Sequence, residues 1–511
     1  MEFDSGTDFL FGHILNNSLK HTPDKKAVIC HGDSVTYREL DRNANRAANA
    51  VLRMVKTGDK IGIISFNCID YIELMLGCAR AGVVVVHINW RLSPGEIWNL
   101  LRFNDCRAAF IQTDQDAWEQ ELFRLADRAF PFISLKKRDG RSCYDDLIQN
   151  ETDEFTEPLI SPDDVLMHIH TSGTTGIPKC VMHTHRGFVS EMICCRDEMG
   201  FSESEVFQVV SQLFHVASIG SYMELFAGGT LVLFRGFNAD EYLTSVEENH
   251  VTRLSVIPTV LKWILQQLKV REYCLESLKT VSYSACPIPP SVMDEAIARL
   301  HCQFLQSYGM TEMGSVVTIL KPKDHWSPSH IRSVGTCIPG CRIRIEDENG
   351  CDAGIGVTGE ITVSGPSMLA GYYKRPELYG EHVKNGWFHT GDLGYVDDEG
   401  YLYLEGRKKD MIISGGENIY PKEIEDCLME LTDDIAEAAV FGIEDETWGE
   451  SPYACVVLQK ESRLTAGEIR AYLRNHLAHY KVPKRIELVE GLPKNTVGKV
   501  MKHELQNRYR K

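Results

Sequence analysis

The chain has 511 residues, 43% of them apolar and 25% charged, and carries a formal charge of −18. That length is too great for one ordinary core, and the composition is that of a globular protein of two or more domains. The acidity, with no extended Lys/Arg run, excludes a nucleic-acid surface, which needs basic patches to meet phosphate.

In chain order, Met1-Glu-Phe-Asp-Ser5 is acidic and is expected to be neither a signal nor a transit peptide. Residues 60–65 read as a buried strand, 70–81 as a helix with apolar periodicity and 83–88 as another buried strand, together a βαβ unit. The apolar run 81–86 is far too short to span a bilayer. Strands are expected again at 107–111, 230–234, 253–257 and 280–284, so mostly parallel, helix-covered sheet dominates roughly the first three hundred residues. The polar stretch 136–164 is expected to be an irregular surface excursion. From 333 to 404, short alternating strands with Gly-rich turns predict an antiparallel β unit. Beyond Gly406 a compact α+β pattern begins, with strands at 436–443 and 453–458 and an amphipathic helix at 465–477 opened by Thr465-Ala-Gly-Glu468. The expected fold class is α/β. A large N-terminal domain (1–408) combines mainly parallel, helix-covered sheets with a β subdomain, and a small, mobile α+β domain (409–511) follows.

Sixteen cysteines are scattered without paired or zinc spacing, the pattern of reduced thiols in a cytoplasmic enzyme. His168, His170, His183 and His185 lack an accompanying carboxylate or Cys set and are expected to be structural rather than metal ligands.

The most informative segment is His170-Thr-Ser-Gly-Thr-Thr-Gly-Ile-Pro-Lys179. Gly173 and Gly176 let the backbone approach phosphate oxygens, Thr171, Ser172, Thr174 and Thr175 supply donors, and Lys179 adds a compact positive charge. It is not a Walker A loop, which ends in Gly-Lys-Ser/Thr. Taken alone, a surface turn with incidental hydroxyls is the bland alternative. Four further segments follow: Gln306-Ser-Tyr-Gly-Met-Thr-Glu312, Trp387-Phe-His-Thr-Gly-Asp392, Gly406-Arg-Lys-Lys-Asp-Met-Ile-Ile-Ser-Gly-Gly-Glu-Asn418 and Pro493-Lys-Asn-Thr-Val-Gly-Lys499.

In this order and at these separations the five segments resemble the motif series of the adenylate-forming superfamily, which includes acyl-CoA synthetases, beetle luciferases and peptide-synthetase adenylation domains. The resemblance runs from Tyr37-Arg-Glu-Leu40 to the last dozen residues. It implies a ligase that uses ATP, Mg²⁺ and coenzyme A. A carboxylic acid is first coupled to AMP with release of pyrophosphate, then passed to the CoA thiol.

The resemblance also implies roles. The loop from Thr171 to Lys179 encloses the β- and γ-phosphates, Thr311 touches the α-phosphate, and Glu312 helps to hold Mg²⁺, a hard cation suited to oxygen. Tyr308 offers adenine a flat face, with Ser284, Ala285 and Cys286 opposite, and Gln306, Ser307, Gly309 and Met310 complete the nucleotide segment. Asp392 accepts from the ribose hydroxyls and Arg407 approaches ribose and phosphate. Lys499 bridges the attacking carboxylate and the α-phosphate, and Lys409 is the hinge about which the small domain rotates between half-reactions. After rotation Ser414, Gly415, Gly416, Glu417 and Trp448 border a pantetheine channel. Tyr480, Lys484 and Arg91 are candidates for CoA or, equally, for ordinary surface. His215 is the gate, and Ile219, Tyr222, Met223, Tyr283, Ala285 and Met310 join it around the acyl group.

Two departures from the family pattern stand out: Cys180 follows Pro178-Lys179 where Gly is usual, and Ser284-Ala-Cys-Pro287 replaces a Gly-Ala-Ala-Pro-like run. An acid:CoA ligase for a medium-chain or aromatic acid is the leading expectation. The alternative is a stand-alone aryl-acid adenylating enzyme that loads a carrier protein. Against an amino-acid substrate, Phe214-His-Val-Ala-Ser-Ile-Gly220 offers no acid to pair an ammonium, and the chain ends twelve residues after Lys499, short of a fused carrier. Nothing identifies luciferin or oxygen chemistry, and a nonenzymatic relative would be expected to lack Lys499 or Glu312. A homodimer is left open.

Overall fold

The computed structural model describes residues 9–127, 129–136, 142–171, 179–284, 288, 290–414, 417–445, 447–495 and 499–509. Among these, strands assemble into two large sheets of nine and seven strands and two of five. In the nine-stranded sheet, six neighbouring strands from Lys26–Cys30 through Arg253–Val256 and Thr280–Tyr283 to Gln303–Tyr308 run parallel, with antiparallel strands at both edges. In the seven-stranded sheet, Lys60–Ile64 lies between Val84–His87 and Cys106–Ile111, all parallel. Its other edge turns antiparallel, where Val165–Thr171 pairs with Lys179–Thr184 and that strand pairs with Gly371–Tyr372. Strands 342–407 form an antiparallel sheet, and the last five, between residues 412 and 488, form the fourth.

The local reasons are visible in the first βαβ unit. Ile61, Ile63 and Ile64 are fully buried, and each such side chain contributes about 1.5–3 kcal/mol of transfer free energy. Helix Ile69–Ala81 ends where Gly82 takes φ +64, a left-handed residue that suits glycine. Helix Tyr37–Met54 starts with a capping box, Thr36 N–H donating to Glu39 and Glu39 N–H donating to Thr36. The two helices pack so closely that a Cβ on Gly77 would lie 2.7 Å from Ala47 Cβ.

Residues 136–164 depart from expectation. They include helix Tyr144–Gln149, whose Tyr144 and Ile148 are buried one turn apart, with Cys143 Sγ accepting from Asp146 N–H at its start. Two apolar residues in six are too few for periodicity to announce a helix. The parallel strands also divide between two sheets, since strand composition does not specify partners. No helix among the described residues is long and apolar enough to cross a membrane.

Candidate active site

Parallel strands deliver their C-terminal ends to one region. Val165–Thr171 ends at Thr171, whose register partner Lys179 opens the next strand; Ser172, Gly173, Thr174, Thr175 and Gly176 between them lie outside the described residues. Lys179 Nζ lies 2.9 Å from His382 Nε2 and 5.5 Å over the Tyr372 ring. The His382 imidazole is shifted down, first by burial and then by the Lys179 charge, so it accepts as a neutral ring. Tyr372 in turn donates to Glu312 Oε1 at 3.1 Å. One tyrosine therefore connects Lys179, at the start of a strand of the seven-stranded sheet, with Glu312, the expected magnesium carboxylate, on a turn that follows a strand of the nine-stranded sheet. Thr311 and Glu312 occupy one 3-10 turn, Thr311–Met313.

That turn is braced from behind. Glu191, on helix His185–Met199, is fully buried and accepts from Val316 N–H at 2.7 Å, while its Oε2 has no partner. Burial holds its carboxyl well above the usual range, so it sits under the turn as a neutral group. Gly314 at φ +86 abuts this carboxyl, and a Cβ on Gly309 would run into the Ser315 carbonyl. Both glycines allow the chain from Tyr308 to Val316 to fold back on itself.

Tyr308 donates to Asp392 Oδ2 at 2.8 Å, and the Arg407 guanidinium meets Asp392 Oδ1 at 3.0 Å across the strand pair that holds both. Burial, then the Asp392 charge, push the Tyr308 hydroxyl well above its ordinary range, so it remains a donor.

Next to this region lies a small cavity that is partly open to solvent. Phe201, Phe207, Ile219 and Met223 give it an apolar wall. Ser255, Ser282, Ser284 and Ser307 also line it. Ser284 and Ser307, both expected on the nucleotide side, line this cavity. Ala285 and Cys286 lie outside the described residues.

Several expected residues are elsewhere. Tyr222 turns from the cavity into the core, edge-on to Phe11 at 5.1 Å and Phe188 at 6.2 Å, because its helix presents Ile219 and Met223 to the opening instead. Tyr283 borders the cavity, but strand alternation sends its ring to the other face, where the hydroxyl donates to Gln306 Oε1 at 3.3 Å and meets His325 at 3.0 Å. Gln306 is consequently a buried packing partner. Met310 packs against the core of the antiparallel sheet.

His215 has its ring 4.4 Å from Phe214 and a buried Nε2 without a partner. Burial, then the Arg91 charge, push its pKa down to about 4, so it is neutral at physiological pH. Arg91 itself lies 4.6 Å over Trp90 and 5.9 Å from Phe214, in the gate's neighbourhood. Of the other histidines nearby, His168 and His170 both meet Asn104 and His185 accepts from Phe11 N–H, while His183 keeps a buried Nε2 with no hydrogen-bond partner among the described residues. Cys180, the departure from the family loop, is buried and donates to the same Asn104 at 3.1 Å.

In the last sheet, Ser414 pairs with Gly449, Glu417 is exposed, and Gly415 and Gly416 lie outside the described residues. Trp448 is 51% exposed and lies under Lys484, whose ammonium also grips Asp445 at 2.5 Å and holds that carboxyl down at about 2. Tyr480 is exposed beside Lys481, which pairs with Glu423. Lys409 is the exposed middle residue of a 3-10 turn, Lys408–Asp410, between strands of two different sheets. Lys499 is exposed, and its carbonyl accepts from Asn495 N–H at 2.9 Å.

The sequence profile of AMP-binding enzymes matches residues 15–373, and that of the AMP-binding enzyme C-terminal domain matches residues 423–499. The chain belongs to the AMP-binding enzyme family. Among relatives of this AMP-binding enzyme, a feruloyl-CoA synthase of Amycolatopsis sp is 34% identical over 491 residues, covering 96% of each chain. A 2-succinylbenzoate–CoA ligase of Bacillus subtilis is 31% identical, covering 95% of this chain and 96% of its own. A fatty acid–[acyl-carrier-protein] ligase, ScoC of Streptomyces coeruleorubidus, is 30% identical over 96% of this chain and 94% of its own. The ATP-bound structure of MatB from Rhodopseudomonas palustris superposes with a TM-score of 0.90 at 28% identity, over 98% of this AMP-binding enzyme and 99% of that chain.

Tyr372, His382, Glu191, Arg253 and Ser282 escape sequence reasoning. None sits in a phosphate-type motif; each acquires its place by a strand or helix packed from far along the chain.

Proposed function

We propose that the chain is an ATP-dependent carboxylic acid:CoA ligase that makes an acyl-AMP and then a thioester. The observation that carries this reading is the convergence of the Lys179–Tyr372–Glu312 linkage, the Tyr308–Asp392–Arg407 cluster and the cavity lined by Ser284 and Ser307. In the first step a carboxylate oxygen attacks the α-phosphorus and the bond to pyrophosphate breaks. Lys179 and Lys499 offset the charge on the phosphates and on the incoming carboxylate, while Asp392 fixes the ribose. The Glu312 carboxylate, with only one oxygen engaged by Tyr372, suits Mg²⁺, which would supply charge neutralisation on the phosphates. In the second step the CoA sulfur attacks the acyl carbon and AMP leaves. The neutral imidazole of His215 gates the acyl site without carrying a charge into it.

We place the domain boundary between residues 408 and 409 and assign Lys409 as the pivot. Lys408 is pinned to Glu360 of the preceding sheet at 2.9 Å, and the next sheet begins at Ile412, which supports a flexing point between them. Ser414, Glu417, Trp448, Tyr480 and Lys484 make the CoA-facing surface in this reading. An acidic, thiol-rich chain fits a cytoplasmic enzyme, and a homodimer is to be tested by sedimentation.

CoA-ligase relatives across the chain's whole length favour thioester formation over carrier loading, and their names favour an aromatic acid. The test is paired: acid-dependent ATP–pyrophosphate exchange without CoA, then thioester yield with CoA. Exchange with no thioester from any acid would reverse the choice in favour of a carrier.

A further inference from the structure

The wall of the acyl cavity is unusually polar for one that must hold hydrocarbon. Ser255 and Ser282 are register partners on neighbouring parallel strands, and Ser284 lies two residues beyond Ser282, so alternation puts all three hydroxyls on one sheet face. Behind them, two residues before Ser255 and on the same face, stands Arg253. It is 3% exposed. Its guanidinium donates to Ser282 Oγ at 3.3 Å and to the Gly200 carbonyl at 3.1 Å, lies 4.9 Å over the Phe201 ring, and leaves Nε without a partner.

The consequence for Ser282 is chemical. A hydroxyl has one proton to give and two lone pairs; with Arg253 donating to it, its own O–H is free to point at something else. Among the described residues it makes no other hydrogen bond, and no carboxylate comes within ion-pair distance of Arg253. Glu224 and Glu205 act on the guanidinium only at longer range. Burial also pushes the Glu224 carboxyl up to about 8, leaving it mostly neutral at pH 7. The Ser282 end of the cavity is therefore a donor backed by a positive charge, while the Ser284 and Ser307 end adjoins Tyr308.

Building on the ligase reading, we infer that the acid carries a hydrogen-bond acceptor at the end away from its reacting carboxylate, recognised by the Ser282 hydroxyl with Arg253 as the positioning residue. An all-alkyl tail would bury that hydroxyl and the charge behind it against hydrocarbon. Two strand residues, roughly 6–7 Å, separate the level of Ser284 from that of Ser282. That is the distance across a para-substituted ring, which makes a short arylalkanoate or cinnamate-like acid with a para acceptor the best fit.

The test compares three acids in ATP–pyrophosphate exchange: 3-(4-methylphenyl)propanoate, its 4-hydroxy analogue and its 4-carboxy analogue. An acceptor-bearing acid is expected to exceed the methyl compound in kcat/KM by at least about tenfold. Preference for the hydroxy arm identifies a neutral acceptor, and preference for the carboxy arm an anionic one. Ser282→Ala should bring the ratio to within about twofold of one, Ser282→Thr should restore part of it, and Arg253→Met should lower it most for the carboxy acid. Should Arg253→Met not fold, the Ser282 pair decides alone, with retained AMP binding as the check on folding. A wild-type preference for the methyl acid, or a ratio that Ser282→Ala leaves unchanged, overturns the inference. Exchange without thioester counts against the CoA step alone, and exchange indifferent to the para group counts against this inference alone.

Discussion

Tyr308 donates its hydroxyl hydrogen bond to Asp392 across 2.8 Å, joining the end of the last parallel strand, Gln303–Tyr308, to the middle of strand Trp387–Val396 in the antiparallel sheet. The proposed reader of the base and the proposed reader of the ribose are thereby one unit. Asp392→Ala should weaken AMP binding by about tenfold or more, since hydrogen bonds to a charged acceptor are worth about 1.5–3 kcal/mol. Tyr308→Phe keeps the ring and removes one donor, so its loss should be smaller. Isothermal titration with AMP ranks the two, and equal affinities in wild type and Asp392→Ala would remove Asp392 from the site.

Lys499→Ala should slow acid-dependent pyrophosphate release severely and spare conversion of supplied acyl-AMP and CoA to thioester. Its charge is required only where carboxylate meets α-phosphate. Stopped single-turnover assays of each half-reaction separate the two, and equal losses would reassign the lysine.

Lys409→Pro should show the opposite pattern. Proline fixes φ at the proposed pivot, so adenylation persists while thioester formation falls. Normal thioester formation by the variant would move the pivot elsewhere.

Gly314→Ala should destabilise the fold by about 3 kcal/mol, combining left-handed strain with overpacking. The added methyl meets the unpartnered Oε2 of Glu191, and φ is +86. Thermal unfolding measures the loss, and Gly314→Ala with a Glu191→Ala partner should recover part of it.

Four buried histidines around the phosphate hairpin give the enzyme an acid limit. Burial pushes His87 and His168 down to about 3, and His170 and His183 down to about 4. The unfolded chain binds protons at these sites from about pH 6.5 downward while the folded one does not. Their contribution to stability is thus full above pH 6.5 and is lost as pH falls through 4 toward 3. Urea midpoints should drop steadily from pH 7 to pH 4.5, and a flat profile would show that these rings are protonated in the fold.

Much of the fold is legible in the sequence where burial is complete or chemistry is local. Lys60–Ile64 and Val84–His87 are apolar runs between turn signals, and Thr465 caps its helix with the Glu468 partner that the sequence displays. Partnerships between distant segments are not legible. Nothing near Tyr372 signals that its ring sits between Lys179 and Glu312, and nothing near Tyr283 and Gln306 tells which strand face each side chain takes. Arg253 reads as a strand's first residue until the packing of Phe201 and Ser282 puts it behind a cavity.

The pairing of Val181 and Met182 with Tyr372 and Gly371 also sets the order in which the enzyme can be made. While the ribosome works between these points, the strand Lys179–Thr184 has one bare edge, ready to pair with any other extended chain. Val28 waits similarly for Leu231. The nascent protein keeps both large sheets incomplete until late in synthesis, so its strand edges stay bare for longer than in a fold built from local pairings. Because the last strand to arrive carries Tyr372, the contact between its ring and Lys179 forms only when the sheet is complete.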